Sequence, residues 1–402
     1  MHDQTNIGGR LRVLRRWRGM TLVQLGDLSG LSASFLSMAE RGLRPIDRRS
    51  HISALATALR VSETDLVGGP HLSADPVQAG PHAAIPNIRE ALLVNTLTAP
   101  AADQARPLSE LITEMARIDR SEYKHVEVGR KLPALINELH VHVCGPADEA
   151  ARRVALATLI EAFQTATFTA KDLGYFDLAR IAAMRAMEVA DILDDPVSKG
   201  KAASLHIHTI PMASRNFALV AAEKAADALE PHLRSSTEIP VLGMLALAAA
   251  LSATVCYNYD RAEHWLDQAA DLASRIPDTP SETWGAFSST NVAIWRVGLA
   301  VERGETGAGL LRLAEKVDED RIAGRRGRRA TFLADVGRGL ARDPRMRAAA
   351  YRWLRRAESV APHKIRNSTA VHETVSSMLA QERSAAVGRE LRAMAARMGI
   401  PH

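Results

Sequence analysis

The chain has 402 residues, of which 47% are apolar and 4% aromatic, a composition that allows two or three domains with sizeable cores and argues against extensive β-sheet. Cys144 and Cys256 are too few for a disulfide framework, residues 1–9 hold no apolar signal segment, and no apolar run is long enough to span a bilayer. We therefore expect a cytoplasmic protein without membrane segments. Most of the formal net charge of +5 lies in residues 1–66, where ten Arg stand against six Asp and Glu, a balance typical of a segment that binds phosphate groups.

The first part of the chain predicts five short helices with clear start and stop signals. Thr21, Ser32 and Ser62 are suited to cap the second, third and fifth helices, while Gly30 permits the tight turn between the second and the third. The predicted bounds are about 7–18, 22–28, 33–41 and 51–59, with a last short helix that contains Leu66. Apolar residues that recur on one face of each helix predict a small helical core.

The third of these helices carries small side chains on the face that the predicted core leaves exposed. Its exposed residues are Ala33, Ser34, Ser37, Met38 and Arg41. A helix with small outward side chains can enter the major groove of DNA and reach the edges of the bases. The pattern therefore predicts a recognition helix.

The same segment resembles a known family through the residues RGMT at 18–21, the Leu-x-x-Leu spacing at 22–25 and SGLSASFLSMAERG at 29–42. It is similar to the phage-repressor-like (Cro/repressor, or XRE) helix-turn-helix family, which implies double-stranded DNA as the partner. The resemblance implies that the DNA-facing residues are Ser32, Ala33, Ser34, Ser37 and Met38. It implies phosphate contacts from Thr21, Gln24, Arg41, Arg44, Arg48 and Arg49, assisted by Arg12 and Arg16. It also implies an internal ion pair between Arg15 and Glu40. The alternative is that the helix-turn-helix contacts another protein and not DNA.

The predicted reading face departs from the family in one respect. Members of the family often carry Gln, Asn or Arg at the base-reading positions, whereas this chain has Ala33, Ser34, Ser37 and Met38. Ser makes ambiguous base contacts, and Ala and Met can only touch a thymine methyl group or pack. We therefore expect sequence choice to depend on DNA shape and on the Arg-rich segment after the third helix.

Three segments follow from composition: a helix-turn-helix domain at 1–67, a linker at 68–86 and a helical region at 87–402. The linker is rich in Gly and Pro and shows little apolar periodicity. After it, almost every segment has helical spacing, and the apolar stretch 242–255 predicts a buried core helix. The predicted fold class is all-α.

The long helical region contains a repeat. Five segments align so that a small residue recurs at one position: Ala186, Ala225, Ala269, Ala314 and Ala357. Seven residues earlier, on the same helix face, stand Ala179, Ala218, Ala262, Gly307 and Ala350. A helix pair that repeats about every 40 residues is typical of an α-solenoid. Over roughly 107–399 the pattern resembles tetratricopeptide repeats.

The concave surface of such a solenoid is the candidate effector site, because these surfaces bind peptides or partner helices. Its most site-like part is the segment 284–301, predicted as one helix. That helix would place Trp284, Phe287, Asn291 and Trp295 on one face beside Arg296, with Gln164 and Asn216 as weaker candidates on adjacent repeats. Asn291 on this aromatic face needs a polar partner, either a ligand backbone or a neighbouring loop carbonyl.

Other candidate sites are not supported by their spacing. His140, His142 and Cys144 alternate, as do His206 and His208, so neighbours lie on different helix faces and no metal site is predicted. The GRRGRR run at 324–329 is interpreted as a solvated loop or as pairing with acids of the fold, with a phosphate contact as the alternative. We find no catalytic or cofactor-binding motif, so neither an enzyme nor a cofactor is predicted.

A helix-turn-helix domain followed by tetratricopeptide-like repeats resembles the peptide-sensing regulators of Gram-positive bacteria, and the Arg/Ala-rich composition looks like the actinobacterial set. The resemblance implies a transcription regulator with a peptide or small-molecule effector. A lone helix-turn-helix buries too little surface to be specific, so we expect a homodimer. The alternatives are a repeat scaffold with secondary DNA binding and a ligand-free regulator whose repeats only dimerise.

Overall fold

A computed structural model of the protein describes residues 6–70, 76–120, 124–381 and 385–400, and this part of the chain is α-helical without any strand. The predicted all-α fold is confirmed. The predicted segments 1–67, 68–86 and 87–402 include residues outside this description, namely 1–5, 71–75, 121–123, 382–384 and 401–402. None of the described helices combines the length and the apolar character needed to cross a membrane.

Five helices at the N-terminus, called the head below, pack around one small core. They are α1 (Ile7–Trp17), α2 (Leu22–Ser29), α3 (Ala33–Glu40), α4 (Arg49–Leu59) and α5 (Glu63–Val67). The core is formed by Leu11, Leu25, Leu36, Leu55, Leu59 and Leu66. α4 begins two residues before the predicted start at His51, because the Arg49 N–H finds an acceptor in a distant carboxylate, that of Glu302, at 2.8 Å. A carboxylate at a helix N-terminus satisfies a free N–H and complements the helix dipole.

The predicted linker is partly helical. Two helices, α6 (Pro76–Ala83) and α7 (Ile85–Val94), follow the head, and Ile85 and Ile88 are buried. Pro76 stands at the first helical position, where its missing N–H costs nothing. The prediction of a linker treated every Gly and Pro of this segment as a helix breaker, although Pro is tolerated at the start of a helix.

The repeat region begins with α8 (Leu108–Arg120) and α9 (Lys124–Cys144) and continues as stacked helix pairs. The pairs are α10 (Glu149–Asp172) with α11 (Phe176–Leu193), α12 (Pro196–Thr209) with α13 (Arg215–Leu229), α14 (Ile239–Val255) with α15 (Tyr259–Ser274), α16 (Ser289–Arg303) with α17 (Gly307–Ala314), and α18 (Arg326–Ala341) with α19 (Arg347–Val360). Three helices close the region: α20 (Pro362–Arg366), α21 (Thr369–Gln381) and α22 (Ala385–Arg397).

The repeating small residues lie where the helices approach each other. All of them are buried except Ala225 and Gly307, which are half-buried. Every residue of α14 is buried, as predicted for the stretch 242–255. A helix that is apolar on all faces needs neighbours all round, and α14 has them in α12, α13, α15 and α16.

Polar contacts also join early and late parts of the repeat region. Lys364 of α20 pairs with Asp172 of α10 at 2.6 Å. The two ring nitrogens of His82, on α6, lie 3.1 Å from the Tyr175 hydroxyl and 3.1 Å from Asn367 Oδ1. One side chain therefore connects the start of α11 with the residue that follows α20.

Candidate DNA-binding surface and the adjoining cavity

The start of α3 is held by local caps. The Ser32 hydroxyl accepts a hydrogen bond from the Phe35 N–H at 3.1 Å, which confirms the predicted cap. Gly30 adopts the left-handed conformation with φ 70°, which few other residues tolerate. At α2, Thr21 and Gln24 form a reciprocal capping box, so the Gln24 side chain already has a structural role.

The face of α3 opposite the core is accessible. Ser32 and Ser34 are exposed and Ala33, Ser37 and Met38 are half-buried, whereas Leu36 and Ala39 on the other face are buried. Thr21 and Gln24 are exposed at the neighbouring start of α2. The predicted reading residues therefore lie on the side of α3 that faces away from the core of the head.

The predicted internal ion pair of the head is present. Arg15 Nε and Nη2 donate to the two carboxylate oxygens of Glu40 at 2.6 and 2.8 Å, a bidentate arrangement. Arg15 Nη1 also donates to the Met20 carbonyl at 2.7 Å. The pair ties α1 to the end of α3 and fixes the tilt of that helix.

The predicted phosphate contacts divide into two groups. Arg16, Arg41 and Arg44 are exposed and Arg12 is half-buried. Arg48 and Arg49 instead point to the repeat region: Arg48 Nε donates to the Glu302 carbonyl at 2.7 Å, and Arg49 Nη1 pairs with the Glu302 carboxylate at 2.6 Å. The sequence predicts DNA contacts for both because the acid that binds them is more than 250 positions away in the chain.

Buried charges hold the head against the repeat region. Arg338 donates to the Asp47 carbonyl at 2.6 Å, and Arg342 pairs with the Asp47 carboxylate at 2.9 Å. Burial alone would raise the pKa of Asp47, but the Arg342 and Arg338 guanidinium groups hold that pKa below its ordinary value. The Ile7 N–H donates to Glu373 at 2.7 Å, and Glu373 also lies close to Asp47. The head is therefore held against the repeats by direct contacts and is not connected to them by a flexible linker alone.

A cavity of about 1790 Å³ lies between the head and the inner surface of the repeats. Its wall includes Arg49 and Glu63 of the head. Four predicted effector residues, Gln164, Trp284, Asn291 and Trp295, also line it. The volume exceeds the range of roughly 300–1,000 Å³ that is common for drug-sized ligands.

The predicted helix 284–301 is wrong at its start. Residues 284–286 form a short 3-10 turn in which Gly285 has φ 65° and Ala286 has φ 58°, and α16 begins only at Ser289. Phe287 is fully buried, and a Cβ on Gly243 of α14 would come within 2.0 Å of its ring. Phe287 is therefore a core residue and not a ligand contact. The i, i+3, i+7 spacing could not reveal the break because a turn and a helix can share that periodicity.

Two further candidates lie outside the cavity wall. Arg296 Nη2 pairs with Asp267 at 2.7 Å. The positive charge predicted to contact a ligand therefore already has a partner in the protein. Asn216 is exposed at the start of α13. Both predictions rested on helix spacing alone, and spacing does not say which face of a repeat turns inward.

Asn291 has protein partners for its side chain. Its Nδ2 donates to the Gly285 carbonyl at 3.3 Å, and its Oδ1 accepts from Arg328 Nε at 2.7 Å. The alternative of a neighbouring loop carbonyl is therefore the one observed. Within the GRRGRR run, Arg325 pairs with Asp119 and Arg329 with Glu319, whereas Arg328 turns toward the cavity without an acidic partner among the described residues.

The alternating histidines engage backbone carbonyls. His140 Nδ1 lies 2.7 Å from the Ile136 oxygen, and His142 Nε2 lies 2.8 Å from the Arg106 oxygen. Among the residues that the structure describes, no group of three or more His, Cys, Asp or Glu side chains could hold a metal ion.

Comparison with known proteins identifies only the first part of the chain. Residues 6–67 match the model of a family described as a helix-turn-helix domain, so this segment is a helix-turn-helix DNA-binding domain. The match ends at the end of the head and says nothing about the repeats. No curated protein and no solved structure matches the chain.

Proposed function

We propose that the protein is a DNA-binding transcription regulator of the XRE type that acts in the cytoplasm. Residues 1–67 bind double-stranded DNA, and repeats of the tetratricopeptide kind in residues 87–402 set the position of that domain. The observation that carries the proposal is the face of α3 that includes the exposed Ser32 and Ser34, while the head is anchored to the repeats at residues 47–49 through Asp47 and Glu302.

The regulator acts as a homodimer in this proposal, since one head with a Ser- and Ala-rich reading face offers few specific base contacts. Exposed apolar residues at i, i+3 spacing on α11 and on α13 support an interface there. These residues are Met184, Met187, Phe217 and Val220. Adjacent large apolar side chains on an outer surface are typical of a protein–protein contact.

Anchoring of the head supports a role for the repeats in DNA selection. Two heads fixed on a repeat dimer would have a defined separation, and half-site spacing would then contribute to specificity. A peptide or small molecule bound in the cavity would favour one arrangement of the heads over another.

DNA selection by the full-length chain tests this function. Genomic fragments bound by the protein are sequenced, and affinities are measured by fluorescence anisotropy at several salt concentrations. We expect enrichment of fragments that share two half-sites. A steep salt dependence without any preferred fragment would contradict specific regulation. Ser34→Glu on the exposed face of α3 should abolish binding, and Ser274→Glu, on the exposed surface of α15, is the matched control.

A further inference from the structure

Lys171, Arg215 and Arg328 line the cavity and form no ion pair with a carboxylate among the described residues. Lys171 Nζ donates to the His208 carbonyl at 2.9 Å, and Arg215 Nη2 donates to the Ile210 carbonyl at 3.0 Å. Arg328 bonds to an amide oxygen, as described above, and its guanidinium lies 4.9 Å from the centre of the Trp295 ring. We call Lys171, Arg215 and Arg328 the cation cluster.

Two of the acids near the cation cluster are held by other cations, and Glu63 and Glu302 offset only part of the charge of Arg215. Asp172, next to Lys171 in the sequence, pairs with Lys364 at 2.6 Å. Asp335 pairs with Arg338 at 2.8 Å. The cluster therefore keeps an excess of positive charge in a partly enclosed space, where charge interacts more strongly than in bulk water.

The electrostatics of these groups reflect the missing counter-charge. Burial, followed by the charges of Arg215 and Arg49, lowers the pKa of Lys171 to about 7. Burial also lowers the pKa of Arg215 and of Arg328 to about 10. The nearby carboxylates, Asp172 at Lys171, Glu63 and Glu302 at Arg215, and Asp335 at Arg328, offset only part of the loss of hydration, so the neutral forms are favoured.

Buried polar atoms in the same wall also lack protein partners. They are Gln164 Oε1, Arg180 Nη1, Trp284 Nε1 and Trp295 Nε1. Three of these atoms are N–H donors, and buried donors normally have an acceptor. The Trp295 ring lies against Arg328 of the cation cluster, and its centre is 6.3 Å from that of the His208 ring. The unsatisfied donors call for hydrogen-bond acceptors, and the positive charge of the cluster favours acceptors that carry negative charge.

The DNA-binding head contributes a fourth cation. Arg49 of α4 lines the cavity, and its charge contributes to the lowered pKa values of Lys171 and Arg215. Repulsion between Arg49 and the cluster therefore opposes the contact that Arg49 makes with Glu302. An anion placed in the cluster would reduce this repulsion.

We propose that the cation cluster binds an oxyanion, a carboxylate or phosphate group of a small ligand, and that the bound anion tightens the attachment of the head through Arg49. The inference rests on the proposed ligand control of the regulator and names its chemistry. The bound oxygen atoms accept hydrogen bonds from Lys171, Arg215 and Trp295. The volume of the cavity leaves room for a ligand much larger than the anionic group itself.

Binding to the full-length protein tests the site. Isothermal titration calorimetry and thermal unfolding are carried out with sodium phosphate, with trialanine and with trialanine amide, at an ionic strength held constant with NaCl. We expect heat and a higher melting temperature with phosphate or with the free acid, and neither with the amide. Binding of phosphate alone or of trialanine alone identifies which oxyanion the site takes. Absence of binding by both overturns the proposal.

Lys171→Met separates a binding role from a structural one. It should weaken anion binding by roughly tenfold or more, the usual effect of losing a charge-assisted hydrogen bond. It should also raise the melting temperature of the anion-free protein, because it removes an uncompensated charge, whereas loss of a structural contact would lower that temperature. Lys224→Met, an exposed lysine of α13, is the matched control. Unchanged anion affinity in Lys171→Met would overturn the assignment.

Hydrogen exchange measures the effect on the head. The Arg49 N–H donates to Glu302, so its exchange rate reports directly on the attachment. We expect saturating anion to slow exchange at the start of α4, and an unchanged rate would refute the coupling. A protein that binds the anion but no DNA would contradict the proposed function and leave the anion site standing. DNA binding without any anion binding would contradict the anion site and leave the proposed function standing.

Discussion

Glu302 of the repeat region accepts two hydrogen bonds from Arg49 of the DNA-binding head, one from the backbone N–H at 2.8 Å and one from Nη1 at 2.6 Å. The residue before α4, Arg48, supplies no side-chain cap. Glu302 therefore replaces the missing cap from a distance of more than 250 positions in the chain. The first turn of a head helix is thereby stabilised by the repeats.

Loss of this carboxylate charge should loosen the head. Glu302 is only 3% exposed and also lies 3.6 Å from the buried Arg338. Glu302→Gln leaves two guanidinium groups short of a counter-charge, and we expect a loss of about 3 kcal/mol in the free energy of unfolding. Urea unfolding measures the loss, and hydrogen exchange at Arg49 locates it.

The exposed Glu305 offers a control for that experiment. Glu305→Gln removes the same charge three residues further along the chain, at the surface. Its effect should stay within about 0.5 kcal/mol. Equal losses in the two variants would argue against a special role of Glu302.

Arg41→Ala and Arg48→Ala should separate DNA contacts from repeat contacts. Arg41 is exposed at the end of α3, whereas Arg48 donates to the Glu302 carbonyl. Loss of one phosphate contact lowers the slope of log K against log salt by about 0.9. We expect this change for Arg41→Ala and an unchanged slope for Arg48→Ala, as measured by fluorescence anisotropy with the full chain. The opposite result would mean that the head leaves the repeats when it binds DNA.

Glu373 should make the protein less stable as the pH rises. Burial raises its pKa from an ordinary value of 4.5 to about 7, against the opposing effect of the hydrogen bond from the Ile7 N–H. The folded state thus holds this proton more tightly than the unfolded state does. The resulting stability is fully present below pH 4.5 and is lost as the pH passes 7, a change on the order of 3 kcal/mol.

Glu373→Gln isolates that contribution because glutamine keeps an acceptor for the Ile7 N–H but does not titrate. The difference in unfolding free energy between the variant and the native protein is measured by urea titration from pH 5 to pH 8. We expect this difference to move in favour of the variant as the pH rises. Two parallel curves would show that the carboxyl group is not protonated in the folded state.

Gly243→Ala should disturb the core of the repeats. A Cβ at Gly243 would lie 2.0 to 2.5 Å from atoms of the Phe287 ring, which is fully buried. Such overpacking costs about 1–3 kcal/mol. Thermal unfolding should show a lower melting temperature, whereas Gly69→Ala, with open space around its added atom, should show little change. An unaffected Gly243→Ala protein would mean that Phe287 can move away.

Phe217→Asp tests the proposed dimer surface. Phe217 is 61% exposed on α13, so the substitution should not disturb the fold. A charge in an apolar interface should raise the dimer dissociation constant by roughly tenfold or more. Sedimentation velocity over a range of concentrations measures the change. Ile112→Asp, at an exposed apolar residue of α8, is the control, and equal behaviour of the two variants would place the interface elsewhere.

The head could be predicted in detail from the sequence because its determinants are local. The Ser32 cap and the left-handed Gly30 act within a few residues. The small residues of the repeats, such as Ala186 and Ala269, report close helix packing in the same way. Each of these features can be recognised from the residue type at the position where it acts.

The attachment of the head and the cation cluster could not be predicted from the sequence. Asp47 meets Arg338 and Arg342 only after the chain has folded, and a surface arginine has the same sequence appearance as a buried one. Lys171, Arg215 and Arg328 come from three different helices. Their relation depends on how the repeats curve, which is a property of the whole stack.

His82 gives this stack a mechanical property. Its two ring nitrogens contact Tyr175 and Asn367, and almost the whole series of helix pairs lies between these two residues in the chain. The contacts therefore close the repeats into a ring. An open solenoid behaves as a spring that stretches a little at every repeat. In a closed ring, the contacts of His82 with Tyr175 and Asn367 would have to break before the first and last repeats could move apart. Movement of the heads would then occur in one step and not by gradual extension.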